Sequence, residues 1–169
     1  VRRLLDALYD GAAWLAAACM VGLLVMVLLS ILGRELHFHV PGTDAYAGYL
    51  MAAAGFLALA HTLKRGDHIR VTLLLQYLGA RAHKALEVWA LAAAVALAAL
   101  FAWFSARLAW QSYKFNDVST GNDATPLWIP QIGMAVGTLI LLVAFVDELV
   151  LELRGRRVAA ASDEAAHNE

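Results

Sequence analysis

Cysteine is nearly missing from this chain. Cys19 is the only one in 169 residues, which excludes an internal disulfide and any Cys-x-x-Cys redox pair. Charge is also scarce: 16% of residues are Asp, Glu, Lys or Arg, against about 25% in an ordinary soluble domain. The net charge of -1 supplies no field to draw in nucleic acid, and no nucleic-acid motif is visible. A glycine-rich phosphate loop, a nucleophile beside a base and a metal-ligand spacing are all lacking, so no enzyme chemistry, metal or cofactor is expected. What fills the chain instead is hydrocarbon. Hydrophobic residues make up 62% and mean hydropathy is +0.64. That leaves too little polar surface to wrap a soluble globule of this length, and membrane embedding accounts for it.

Four apolar stretches are long enough to cross a bilayer, which takes about 20 residues. They run over about 12–33, 45–63, 85–110 and 130–153. Arg2-Arg3 before an apolar run, with Leu15-Ala-Ala-Ala-Cys19 inside it, imitates a signal peptide or a lipoprotein box. The run continues past Cys19 to Leu32, longer than a cleaved signal core, so a retained first span is expected. The second stretch is rich in small residues (Gly48, Ala52, Ala53, Ala54, Gly55, Ala58). Small residues let helices approach closely in lipid, so one face of it is expected to pack. The third stretch is longer than the membrane demands, implying tilt or projection. Trp103, Trp110 and Tyr113 at its far end, with Trp128 opening the fourth, are expected as interfacial anchors.

The turn His61-Thr-Leu-Lys-Arg-Gly-Asp-His-Ile-Arg-Val-Thr72 organises the rest. Gly66 suits a helix C-cap and Asp67 an N-cap. Beyond it, 69–80 is too short to span and places Val71, Leu74, Leu75 and Leu78 on one side. It is expected as an amphipathic helix lying in the interface. In a four-span arrangement Arg2, Arg3, Lys64, Arg65, Arg70, Arg81, Lys84, Arg154, Arg156 and Arg157 share one side, and only Arg34 and Lys114 occupy the opposite loops. The positive-inside rule then puts both termini in the cytoplasm. Residues 1–157 form one membrane domain on this basis, and the polar tail 158–169 is expected to be disordered.

Six histidines raise the alternative of a haem-binding electron carrier, which needs histidine pairs at matching depth on facing helices. No two histidines fall mid-span on different stretches, although His61 and His83 come near one another at the basic side. A stand-alone small exporter, the other alternative, would need a mid-span acid. Glu87, Arg107, Asp147 and Glu148 all lie within a turn or two of a span end. Structural pairing is expected there, Glu87 with Lys84 and Asp147 or Glu148 with a cytoplasmic arginine.

Gly33-Arg34, Pro41-Gly42-Thr43-Asp44, Gly66-Asp67-His68-Ile69-Arg70-Val71 and Pro126-Leu-Trp-Ile-Pro130 together resemble the small, DctQ-like membrane subunit of tripartite ATP-independent periplasmic (TRAP) transporters. The likeness covers about residues 4–154. It departs from the family pattern at Asp44, where glutamate is commoner, and at Thr72, where aspartate is usual. The resemblance implies an all-α protein of four transmembrane helices plus an interfacial helix, multi-pass in a bacterial inner membrane. It implies a heterodimer with a large, sodium-coupled elevator subunit that takes up an organic acid or similar solute from a periplasmic substrate-binding protein. The small subunit would be a scaffold without a substrate site of its own. Arg34 and Asp44 on one side, and Lys64, Arg65, His68 and Arg70 on the other, are the residues expected to meet partner or phospholipid.

Overall fold

The computed structural model describes residues 2–38, 40–65, 80–121 and 123–154. Among these, four helices account for nearly the whole chain: α1 (Arg2–Glu35), α2 (Thr43–Arg65), α3 (Ala80–Phe115) and α4 (Trp128–Leu153). Each is long and apolar enough to cross a membrane. The 36 residues of α3 extend about 54 Å at helical rise, well beyond a hydrocarbon core of about 30 Å. The interfacial helix expected over 69–80 lies outside the described residues, apart from residue 80, which opens α3. His68 and Arg70 fall in the same undescribed segment, as do the caps expected at Gly66 and Asp67.

The helices stand in the order α1–α2–α4–α3, each packed chiefly on its neighbour. The short turn between Glu35 and Thr43 makes α1 and α2 an antiparallel pair, the 116–127 loop does the same for α3 and α4, and α2 runs parallel to α4. Local chemistry sets the ends. His37 (φ 57°) takes the left-handed cap position after α1, and Phe38 N–H returns to the Gly33 carbonyl at 3.0 Å, a Schellman closure. Asn116 (φ 52°) repeats this after α3, with Asp117 N–H on the Ser112 carbonyl at 3.0 Å. Pro130 sits in the first turn of α4, where its missing N–H would have had no intrahelical partner.

The glycines of α4 bring its backbone close to α2. A Cβ built on Gly137 would lie 2.6 Å from the Phe56 carbonyl carbon, and one on Gly133 2.9 Å from Ala53 Cβ. The small residues of α2 divide accordingly. Ala54 and Ala60 are buried, whereas Gly48, Ala52 and Gly55 are exposed. Backbone proximity comes from the glycines of α4, because a crossing needs only one partner stripped of Cβ. On α3 the buried Leu91, Ala98, Ser105 and Ser112, joined by Ala102, recur every seven residues. This narrow seam, at the seven-residue spacing of a coiled coil, keeps one stripe of α3 against α4. Tyr9, Ala60, Leu63, Leu141 and Ala144 form the buried cluster joining α1, α2 and α4.

Gly137→Ala should force Phe56 away and cost about 1–3 kcal/mol by overpacking. Gly11→Ala meets nothing within 4 Å and should be neutral or slightly stabilising. Thermal unfolding of the two variants in the same detergent checks the difference.

Candidate functional site

The polar chemistry of the described residues gathers at the two ends of the α2–α4 pair. At the end where the turn and the 116–127 loop lie, Ser119 N–H donates to the Thr125 carbonyl at 2.8 Å and Leu127 N–H to the Asp117 carbonyl at 2.9 Å. Val118 and Pro126 meet in an antiparallel bridge, so the loop closes on itself. Its tip, Asp123, accepts from Ser119 Oγ at 2.7 Å and from Tyr49 Oη at 3.2 Å. Tyr46 Oη shares a hydrogen bond of 2.9 Å with Thr125 Oγ1. The α3–α4 loop is therefore tied to the first turns of α2. Gly42 permits this docking: it has φ +82°, and a Cβ there would stand 2.8 Å from Asp123 Cβ. The Ser119 hydroxyl, helped by Thr125 and Tyr49, holds the Asp123 carboxyl below its ordinary value of 3.8.

At the opposite end, Lys64 of α2 is clamped between two carboxylates of α4. Its ammonium pairs with Asp147 and lies 3.2 Å from Glu148; all three side chains are largely buried. The same ammonium stands 5.3 Å above the Tyr9 ring, which brings α1 into the cluster through a cation–π contact. His61 Nδ1 lies 3.7 Å from Asp10 on α1, and His83 Nδ1 3.7 Å from Glu87, one turn along α3. An arginine was expected beside Asp147 or Glu148; among the described residues Lys64 meets both. Among the described residues no three His, Cys, Asp or Glu side chains converge as a metal site would require.

The residues singled out in the sequence scatter across this frame. Lys64 is central to the clamp, while Arg65 beside it is exposed. Arg34 and Asp44 are exposed residues lining one cavity at the turn end. Asp44 accepts from Ser30 Oγ of α1 at 3.1 Å, and the Gly42 carbonyl receives the first α2 backbone bond, from Tyr46 N–H, at 3.0 Å. Trp110 and Trp128 are joined through Tyr113, with ring centroids 6.2 and 5.7 Å apart. Trp103 sits about 10 Å further along α3 and outside that aromatic group. Sequence reasoning passed over Tyr46, Tyr49, Asp123 and Thr125. Only a polar loop of small residues was visible there, with nothing to say what it would fold onto.

Replacing Lys64 by Met leaves two carboxylates confronting one another and should cost about 1–3 kcal/mol, less than the 3–5 kcal/mol typical of a fully buried pair. Adding Asp147→Asn should recover part of that loss in a double-mutant cycle of thermal unfolding. The loop contact has a distinct pH signature. Because the folded carboxyl is depressed, its contribution is complete above about pH 4 and is lost as pH falls through the lower folded value. Tyr49 fluorescence should report loop release only in that acid range, and Asp123→Asn should abolish the transition.

Comparison with known proteins supplies the remaining evidence. A search against curated proteins gave no match. The family profile described as "Tripartite ATP-independent periplasmic transporters, DctQ component" matches residues 23–155, well over half the chain. The match takes in the turn-end cavity, both end clamps, the α2–α4 crossing and the whole of α3. With four membrane-length helices and this match, the chain belongs to the DctQ family, a membrane component of TRAP transporters.

Proposed function

We propose that this protein is the non-catalytic scaffold of a TRAP transporter, forming a heterodimer with the large subunit that carries out elevator-type, sodium-coupled uptake. The solute, an organic acid or similar molecule, would arrive on a periplasmic binding protein. Both termini would lie in the cytoplasm, following the Lys and Arg bias. Fixed elements suit this role. An elevator domain needs a stationary reference in the bilayer, and helices tied at both ends of their length provide one.

The observation that carries the proposal is how little of its apolar surface the chain buries against itself. Of the most apolar window of α1, 6% is buried, and of that in α3, 17%. On α3, Trp103, Arg107, Trp110 and Lys114 recur at helical spacing on the side turned away from the Leu91–Ser112 seam. Trp103 is 68% and Trp110 66% exposed. Tryptophan beside arginine is the composition of an interface anchor. The outer face of α3 and the Gly48–Gly55 side of α2 are the surfaces left for a large partner.

The test is purification from native membranes under mild detergent. The scaffold reading expects a 1:1 complex with a much larger membrane protein, no solute flux when the small chain is reconstituted alone, and uptake when both are present with the periplasmic binding protein. A monodisperse small chain that moves solute unaided would overturn it.

A further inference from the structure

A cavity of about 370 Å³ lies at the turn end between the close of α1 and the start of α2. Its shape follows from the Schellman closure. Phe38 carbonyl oxygen stands 2.8 Å from where a Gly33 Cβ would be, so the chain folds back tightly and leaves a cleft beside it. Two opposite charges line this cleft without meeting. Asp44 is held by the Ser30 hydroxyl through one carboxylate oxygen. Arg34 forms no ion pair within 4.0 Å among the described residues. His37 adds a further polar group, while Leu29, Phe38 and Val40 supply an apolar wall. Below the cleft, the α1 surface one and two turns beneath Arg34 is open hydrocarbon: Ile31 is 45% and Val27 41% exposed.

A separated cation and anion above a strip of hydrocarbon fit an amphiphile whose headgroup carries the complementary charges. We propose that this cleft binds the headgroup of phosphatidylethanolamine. Arg34, with its planar set of donors, takes the phosphodiester. Asp44 takes the primary ammonium with its unused oxygen, and the acyl chains lie along α1. The same geometry discriminates between headgroups. A choline ammonium has no N–H to offer Asp44, and an uncharged glycerol headgroup leaves that carboxylate without a counter-charge. A small water-soluble zwitterion has no use for the apolar wall.

Native mass spectrometry of the full chain, delipidated in detergent and titrated with lipids of identical acyl chains, tests this. Phosphatidylethanolamine should be retained about tenfold better than phosphatidylglycerol or phosphatidylcholine, a difference of about 1.4 kcal/mol. Soluble glycerophosphoethanolamine should bind far more weakly. Arg34→Gln should weaken all three lipids, whereas Asp44→Asn should abolish the ethanolamine preference and leave general lipid retention intact. Ser30→Ala removes the Asp44 hydrogen bond but keeps the charge, so it should preserve the preference; Lys114→Gln, a cation at the same end, should change nothing. Equal retention of the three lipids, an unchanged preference in Asp44→Asn, loss of preference in Lys114→Gln, or comparable binding of glycerophosphoethanolamine would each overturn the proposal.

Discussion

Helices dissolved in lipid gain nothing from hiding hydrocarbon, because the solvent is hydrocarbon too. What holds them is close packing and polar contacts that lipid cannot replace. In this protein that constraint comes to a point where α4 crosses α2, at Gly133 and Gly137 against Ala53 and the Phe56 backbone. Removing two side-chain carbons lets the helix backbones approach until dispersion between main-chain atoms contributes. The crossing also aligns α2 and α4 in parallel, which puts like ends together. Lys64 then meets Asp147 and Glu148 at one end, and Tyr46 and Tyr49 meet Thr125 and Asp123 at the other.

The outer helices depend on this central pair. α1 leans on α2 and reaches the basic-end clamp through Tyr9. α3 leans on α4 along one narrow seam, leaving most of its circumference outside. The division has a functional sense. On the proposed scaffold reading, a helix pair fastened at both ends and in the middle would resist hinge and shear motion, and the open apolar flanks would supply area for a partner. The described residues place their charges at the ends of the spans, so the polar contacts serve to fasten helices together.

Much of this was legible in the residues, and the rest had a physical reason to stay hidden. Four membrane helices follow from hydropathy and length, and Lys64 was legible as an important cation from its place in the basic turn. Its partners were not, because Asp147 and Glu148 lie more than eighty positions away, and only the parallel alignment of α2 and α4 brings them within reach. The α2–α4 crossing was half visible. Alanine and glycine marked α2 as a packing helix, but the decisive glycines belong to α4, where Gly133-x-x-x-Gly137 was a signal available and unused. The loop residues Ser119, Asp123 and Thr125 looked like solvated turn chemistry. Their docking depends on Gly42 in another turn, a long-range match that no local pattern encodes.

The central claim is that α2 and α4 form a rigid spine that stays still while a partner moves. Spin labels at Arg65→Cys, the last residue of α2, and Leu153→Cys, the last of α4, with Cys19→Ser to remove the native thiol, would report the distance between their ends. In the assembled transporter, pulsed electron-spin resonance should give one narrow distance distribution. It should be unchanged by solute, by the binding protein and by the ion gradient. A second distance population appearing under transport conditions would show that the pair is itself a moving part and would contradict the account.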